Sequence, residues 1–163
     1  MFKIMKENKI IHGNIKPSNI YINTKSNKII YKLSFLDSIQ FYNLEEDSKL
    51  TNLKLPSLTE SPEILNNNLL LNNSDLWSLG IIIYYLNFKE FPFKGKTEFQ
   101  LIKNIKDNIN KIKTIKDNEL NKLLKMILII ESNERISLND YFLFFENKII
   151  KNEKKYNKKS INI

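Results

Sequence analysis

The stretch from Ser74 to Leu86, which reads SDLWSLGIIIYYL, limits the possible folds more than any other part of the chain. It opens with a serine, a residue type that caps helices, and with Asp75, whose charge suits the positive end of a helix dipole. Apolar residues then follow on nearly every side, which is typical of a helix that is buried all round. β-branched and aromatic residues also favour strands, but the cap and the length favour a helix. We therefore predict a central buried helix, too short and too interrupted to span a bilayer, on which the other segments pack.

Composition is that of a globular chain of one domain. Its 163 residues can bury a sizeable core. There is no cysteine, and the N-terminus lacks the apolar run of a signal peptide, so we expect an intracellular, cytoplasmic protein. The bias towards Lys, Asn, Ile and Leu, without Ala or Val, is typical of AT-rich coding sequence. Against that background the single copies of three residue types are informative, namely His12, Trp77 and Arg135.

Positive charge is concentrated at the C-terminus. Residues 148–163 carry six lysines and one glutamate, so +5 of the formal net charge of +8 lies in this tail. We predict one domain over 1–147, followed by a Lys-rich, solvated and disordered tail over 148–163. The alternative is a tail that binds nucleic acid or an anionic membrane.

The remaining pattern is mainly helical. Apolar residues at helical spacing predict helices over 74–88, 99–110, 119–130 and 138–146, the last of them capped by Ser137. Residues 1–11 are interpreted as the end of an amphipathic helix, and 12–22 as a tight turn that leads into a strand. A hairpin connection and a second strand over 29–35 follow. Residues 40–60 are predicted to be a long loop, and Ser61 to Leu65 a short helical turn.

Five sequence motifs follow one another along the chain. They are His12-Gly13-Asn14-Ile15-Lys16-Pro17-Ser18-Asn19, Ser61-Pro62-Glu63, Asp75-Leu76-Trp77-Ser78-Leu79-Gly80, Phe91-Pro92-Phe93-Lys94-Gly95 and Asn133-Glu134-Arg135. In that order they resemble the H-R-D-L-K-P-x-N loop, the A-P-E motif, the D-x-W-S-L-G helix start, the P-F-x-G loop and the late arginine of a protein kinase. The motifs contain the only His, Trp and Arg of the chain, so the resemblance does not depend on common residue types.

The resemblance is to the larger, C-terminal lobe of a Ser/Thr-type protein kinase. It implies a mainly α fold over 1–147, a helical bundle around the buried central helix with two or three short strands near the N-terminus. The sequence contains neither G-x-G-x-x-G nor a V-A-I-K lysine. We therefore expect the N-terminal lobe, with its phosphate-covering loop, to be absent.

Departures from the kinase pattern fall on the positions that carry the chemistry. Asn14 stands where the family has the catalytic aspartate, and a carboxamide cannot take a proton at neutral pH. Gly13 replaces the arginine that holds a phosphorylated activation loop in many members. In straight register Phe35 replaces the magnesium-binding aspartate of D-F-G, whereas a two-residue slip would let Asp37 serve. The catalytic loop is thus predicted to be degenerate.

Some positions of the family's transfer site are retained. Lys16 and Asn19 match it and are interpreted as vestigial nucleotide-site residues, with Asn19 and Asp37 as the vestigial metal ligands. Tyr21 falls beneath the expected adenine and would crowd it. We expect no cofactor, and Mg-ATP only if the chain is an active kinase. The other matched residues are assigned structural roles. His12 is expected to be a packing residue and Asp75 a brace of the catalytic loop. Glu63 and Arg135 are expected to form an ion pair, Trp77 to lie in the core, and Gly80 to be a further structural position.

Function follows from these departures. We expect a pseudokinase fragment that acts as a binding or scaffolding module. Its partner would be a kinase-like N-lobe or another protein on the surface near Tyr21, Ile22 and the Phe35 strand. One alternative is a divergent Ser/Thr kinase whose N-lobe lies in sequence not included here. A second is a non-functional remnant of a kinase gene.

Overall fold

The computed structural model describes residues 2–25, 28–34, 40–41, 48–49 and 57–146. Its helices are α1 (Phe2–Glu7), α2 (Pro62–Asn67), α3 (Ser74–Phe88), α4 (Glu98–Asn108), α5 (Asn118–Ile127) and α6 (138–146). Its strands are β1 (Ile10–Ile11), β2 (Ile20–Lys25), β3 (Lys28–Leu33), β4 (Gln40–Phe41), β5 (Ser48–Lys49) and β6 (Leu69–Leu70). The predicted mainly helical fold is confirmed. The expectations for Phe35, Asp37 and the tail over 148–163 lie outside the described residues.

Helix α3 is the centre of the molecule, as predicted. Leu76, Trp77 and Ile81 are fully buried, on different faces of the helix. Close packing extends to Gly80, where an added Cβ would lie 2.6 Å from Cγ2 of Ile127 on α5. The two helices approach at this point more closely than any side chain on α3 would permit.

The cap of α3 differs from the prediction. Asn73 is the N-cap and Ser74 is the first helical residue. The Ser74 hydroxyl donates to Oε1 of Glu63 at 2.7 Å and accepts the N–H of Leu71 at 3.0 Å. The serine binds a carboxylate of another helix because that carboxylate is buried and needs hydrogen-bond donors.

The later helices agree with the sequence apart from their ends. Helix α4 begins after Thr97, whose hydroxyl accepts the N–H of Gln100, and a 3₁₀ turn over Ile109–Lys111 continues it. Ser137 caps α6 as predicted, since its hydroxyl accepts the N–H of Asp140 at 3.1 Å. Helix α5 ends at Ile127, three residues earlier than predicted. The carbonyl groups of Ile129 and Ile130 instead accept hydrogen bonds from Arg135, described below.

The hydrophobic core joins α3 to α4 and α5. Its buried members, on these helices and the segments between them, are Leu65, Leu76, Trp77, Ile81, Phe93, Leu101, Ile102, Ile105, Ile115, Leu123, Leu124, Ile127, Leu128 and Ile136. None of the helices within the described ranges is long and apolar enough to cross a membrane. The buried members of the core pack the apolar faces of α3, α4 and α5 against each other.

The N-terminal half contains more strand than the sequence indicated. Helix α1 ends at Glu7, because Lys9 adopts a left-handed backbone with φ 52°. The prediction that the helix continues to residue 11 is wrong, since Ile10–Ile11 pairs with Gln40–Phe41 as an antiparallel strand. Ser48–Lys49 likewise pairs with Leu69–Leu70. The predicted loop over 40–60 is therefore wrong at these two short strands.

Strands β2 and β3 form the hairpin that the sequence predicted. Ile20 pairs with Leu33 and Lys25 with Lys28 in antiparallel register. Strand β3 ends two residues before the predicted boundary at 35. The hairpin returns the chain to the loop before β2, because the N–H of Ser34 donates to the carbonyl of Asn19 at 2.8 Å.

Candidate functional site

The loop from His12 to Asn19, here called the catalytic loop after its position in the resemblance, connects β1 to β2. Asp75 in the first turn of α3 holds its start. One carboxylate oxygen accepts the N–H of His12 at 2.7 Å, and the other accepts the N–H of Gly13 at 2.9 Å. Burial raises the pKa of Asp75, while the two N–H groups and His12 act in the opposite direction. This is the brace that the sequence predicted.

Gly13 occupies a position that only glycine fits well. Its φ is +69°, in the left-handed region, and a Cβ there would lie 3.1 Å from a methyl group of Leu70. An arginine, which the resemblance places at this position in many kinases, would be strained by the backbone conformation and crowded by Leu70. The backbone conformation and the neighbouring Leu70 therefore both favour glycine over arginine at position 13.

His12 is a structural residue of the loop. It is fully buried, and its Nε2 lies 2.6 Å from the carbonyl oxygen of Ser34. A carbonyl only accepts, so Nε2 is the donor, and Nδ1 accepts the N–H of Asn14 at 3.2 Å. Both ring nitrogens are therefore engaged in holding the loop, which agrees with the packing role assigned from the sequence.

Asn14 and Asn19 close the loop on itself. The side-chain Nδ2 of Asn19 donates to the carbonyl of Asn14 at 2.9 Å, and the N–H of Asn19 donates to the carbonyl of Lys16 at 2.9 Å. Ile15 between them is buried and anchors the loop in the interior. The structure thus brings Asn14, Lys16 and Asn19 together, in a fixed backbone arrangement.

The described residues supply little for a metal ion. Among them, no group of three or more His, Cys, Asp or Glu side chains could hold one. Asn19 retains its amide oxygen, which is a ligand type that magnesium accepts, whereas its amide nitrogen binds the loop. Whether Asp37 could supply a carboxylate is a prediction about residues that the structure does not describe. A single amide oxygen does not make a magnesium site.

A second buried cluster ties α2 to the segment after α5. The two terminal nitrogens of the Arg135 guanidinium group donate to the Glu63 carboxylate, at 2.7 and 2.8 Å. Arg135 also donates to the carbonyl of Ile129. Burial would raise the pKa of Glu63, but Arg135, with help from Ser74, outweighs it and holds the pKa below its ordinary value. The guanidinium lies 5.3 Å from the ring centre of Trp77. The ion pair expected from the sequence is present, and it is architectural.

Comparison with known proteins agrees with this geometry. The family model of the protein kinase domain matches residues 2–143. The chain belongs to the protein kinase domain family. Similar curated proteins include the serine/threonine-protein kinases ATG1b of Arabidopsis thaliana, with 32% identity over 63% of this chain, and ppk34 of Schizosaccharomyces pombe, with 28% identity over 80%. Nek5 of Homo sapiens is 30% identical over 91% of the chain. These matches cover 14%, 36% and 21% of the respective relatives, so the chain spans only part of their length.

The hairpin of this kinase domain exposes an apolar surface. Five large side chains of β2 and β3 are between 44% and 66% exposed, namely Tyr21, Ile22, Ile29, Ile30 and Tyr31. The strand register places Ile22, Ile29 and Tyr31 on one face of the hairpin, and Tyr21 and Ile30 on the other. We call the face with Ile22, Ile29 and Tyr31 the hairpin patch. Tyr21, which the sequence placed beneath the adenine, is therefore an accessible side chain rather than part of a closed pocket. Isolated two-stranded hairpins are marginally stable in water, so such a surface gains stability when something covers it.

Three contacts of the kinase domain were not predicted from the sequence. They are the bond from His12 to the carbonyl of Ser34, the bond from Ser74 to Glu63, and the bond from Asn73 Nδ2 to the carbonyl of Ser132 at 2.8 Å. Each joins segments that are distant in sequence. The one available signal was the presence of two polar residues, Asn73 and Ser74, at the start of the most apolar helix.

Proposed function

We propose that this protein kinase domain is a catalytically inactive, C-lobe-type module that acts by binding a protein. The observation that carries the proposal is Asn14, which stands at the position of the catalytic aspartate on a loop fixed by Asp75 and Asn19. The backbone of the loop is held in place, but residue 14 carries a carboxamide, which cannot take a proton at neutral pH. General-base catalysis contributes about 10² to 10⁴ in rate, or about 3 to 5 kcal/mol of barrier.

Other features support catalytic silence. Phosphoryl transfer depends on positioning and charge stabilisation by several groups at once, including metal ligands and a phosphate clamp. In the straight register Phe35 occupies the position of the magnesium-binding aspartate. The order of the motifs, from His12 to Arg135, is that of a C-terminal lobe. On this proposal the chain does not bind Mg-ATP productively.

The binding role is supported by the hairpin patch. Its three side chains lie on one exposed face of a hairpin that begins beside the catalytic loop, since Ile20 at the base of β2 follows that loop directly. Exposed apolar surfaces on soluble domains mark interaction sites or aggregation liabilities. The proposed partner is a kinase-like N-lobe or another protein that covers this patch.

The test is a transfer assay with the purified chain. Radiolabelled Mg-ATP and a generic basic protein substrate should give no transfer above a Lys16→Ala control, and Mg-ATP should not raise the melting temperature. An active serine/threonine kinase serves as the positive control. Magnesium-dependent transfer above the Lys16→Ala level, or clear stabilisation by Mg-ATP, would overturn the proposal.

A chimera separates the catalytic loop from the question of the N-lobe. The N-lobe of an active relative is joined in front of this chain, and three versions are compared: unchanged, Asn14→Asp, and Asn14→Asp with Phe35→Asp. We expect the first two to be silent, because residues that act as a unit are not additive, and transfer to return only in the third. Activity of the unchanged chimera would show that Asn14 is compatible with catalysis.

The second candidate is a divergent Ser/Thr kinase. It is favoured by the retention of Lys16 and Asn19, held together in the closed loop, and by the kinase names of the relatives. The same two experiments distinguish it from the first proposal, since an active kinase would transfer phosphate in the unchanged chimera.

A further inference from the structure

A basic groove lies between helix α4 and the loop that precedes it, and none of its lining residues belongs to the catalytic loop or the hairpin patch. It has a volume of about 700 Å³, and its walls include Leu58, Lys94, Lys96, Lys103 and Asp107. A neighbouring cavity of about 280 Å³ shares Lys94 and Asn104 with it and adds Lys111 and Lys113, of which Lys113 is paired with Glu90. The two cavities adjoin at Lys94 and Asn104, and together they are called the basic groove below.

The segment that builds the basic groove is more positively charged than the rest of the domain. Residues 89–113 contain seven lysines and three acidic residues, a net charge of +4. The other residues of 1–147 contain thirteen basic and fourteen acidic residues. Positive charge within the domain is thus concentrated along the loop and helix that build the groove, where it attracts anionic partners.

The groove is rigid at its centre. The N–H of Lys94 donates to Oδ1 of Asn104 at 3.2 Å, and the N–H of Lys96 donates to Oε1 of Gln100 at 3.0 Å. Between them Gly95 is pressed against α4, where a Cβ would collide with the backbone of Leu101. Loop and helix therefore form a preformed surface, which reduces the ordering cost of binding.

These hydrogen bonds also indicate what kind of anion the groove accepts. A compact phosphate is usually held by convergent backbone N–H groups, but here the N–H groups of Lys94 and Lys96 are used by side chains of α4. The donors at the walls are ammonium groups on long, exposed stems. Such donors suit carboxylates that are spread along an extended segment better than one small ion.

The composition of the walls favours a peptide over a nucleic acid. Asp107 places a negative charge in the wall, which opposes the evenly spaced phosphates of RNA or DNA. A peptide can place an uncharged residue there. Leu58 lines the groove. Phe99 on α4, three residues after Lys96 and four before Lys103, is 74% exposed, so apolar contacts are available as well.

We propose that the basic groove binds an extended acidic segment of a partner protein, in which carboxylates alternate with apolar residues. This inference is independent of catalytic silence and of the hairpin patch, because it uses neither set of residues. It adds a second docking surface, on a different part of the domain, to the proposed binding role.

The test is fluorescence anisotropy with a labelled peptide of about 12 residues in which glutamate alternates with leucine and serine, about the length that an extended segment needs to cross both cavities. A matched peptide has glutamine in place of glutamate. We expect the glutamate peptide to bind, with an affinity that falls as the ionic strength rises from about 50 mM to about 500 mM. Lys94→Glu with Lys103→Glu should weaken binding about tenfold or more, because repulsion replaces attraction.

The control variant is Lys3→Glu with Lys116→Glu, which makes the same change in net charge at exposed lysines outside the basic groove. Both variants keep the basic tail, so a difference between them reports on the groove, and circular dichroism checks that both fold. Equal weakening in the two variants, or equal binding of the glutamate and glutamine peptides, would overturn the proposal. So would poly(U) RNA that displaces the peptide and loses affinity in the groove variant alone, since the site would then be a nucleic-acid site.

Discussion

The carboxylate of Asp75 accepts the backbone N–H of His12 at 2.7 Å, although 63 residues separate them in sequence. A second bond, from the N–H of Gly13, uses the other carboxylate oxygen. The first turn of the most buried helix is therefore bonded directly to the start of the catalytic loop. The position of this loop is thus set by the core, whether or not the loop retains any chemistry.

We predict that Asp75→Asn loosens the catalytic loop. A carboxamide presents one acceptor oxygen where two N–H groups point, so at least one hydrogen bond to a charged group is lost, at a cost of about 1.5 to 3 kcal/mol. Urea denaturation measures the free energy of unfolding, and amide hydrogen exchange should show faster exchange at His12 and Gly13. Asp107→Asn, at an exposed site on α4, is the control. Unchanged exchange at both amides would mean that the brace is not needed.

The Glu63–Arg135 pair should contribute strongly to stability. Arg135→Ala leaves a buried carboxylate without its partner, which costs about 3 to 5 kcal/mol, a large share of the stability of a domain. The matched control is Lys122→Ala, which breaks the exposed pair between Lys122 and Glu119. That loss should not exceed about 1 kcal/mol. Losses of similar size in the two variants, measured by urea denaturation, would contradict the buried ion pair.

The acid sensitivity of the fold should depend on Glu63. Its pKa in the folded protein lies below the ordinary value of 4.5, so its stabilisation is fully present above about pH 4.5 and is lost as the pH falls through the folded-state pKa. Glu63→Gln should therefore be less stable than the unchanged chain at pH 7, and the gap should narrow below about pH 4.5.

The comparison with Glu63→Gln also removes the effect of Asp75. Burial raises the pKa of Asp75, so its titration changes stability in the opposite sense, and it is common to both proteins. The measurement is urea denaturation at several pH values between about 3 and 7, which brackets the ordinary glutamate pKa. A gap that stays constant over this range would show that Glu63 does not titrate differently in the folded state.

The helical framework was predictable because its signals are local. The run from Ser74 to Leu86 is apolar on nearly every side, and the cap at Ser137 is a single residue next to a periodic segment. The errors fall where a distant partner decides the local conformation. Ile10–Ile11 is a strand because Gln40–Phe41 lies beside it. The early end of α5 involves a nearer partner, since the carbonyl of Ile129 accepts hydrogen bonds from Arg135, six residues further along the chain.

The site was predictable to the extent that motifs in a fixed order imply contacts. The resemblance led to the Asp75 brace and to the Glu63–Arg135 pair, since both residues of each contact lie in a motif. It did not lead to the bond from His12 to Ser34, because a backbone carbonyl has no sequence signature. The basic groove was missed for a related reason, since lysines are common in this chain and only the fold shows which of them share a wall.

The hairpin patch should make the folded protein bind apolar molecules or other copies of itself. Its three side chains are large, apolar and exposed on one face, so the purified protein should bind a hydrophobic dye or self-associate under conditions in which it is folded. Ile22→Thr with Tyr31→Thr removes two cross-strand partners and places a residue type that favours strands at both positions. This variant should lose most of the dye fluorescence, whereas Leu143→Thr, which changes an exposed leucine on α6, should not.

Analytical ultracentrifugation over a range of concentrations measures the association directly. A dilution-resistant monomer without dye binding would contradict the exposed patch and would remove the support that it gives to the binding role.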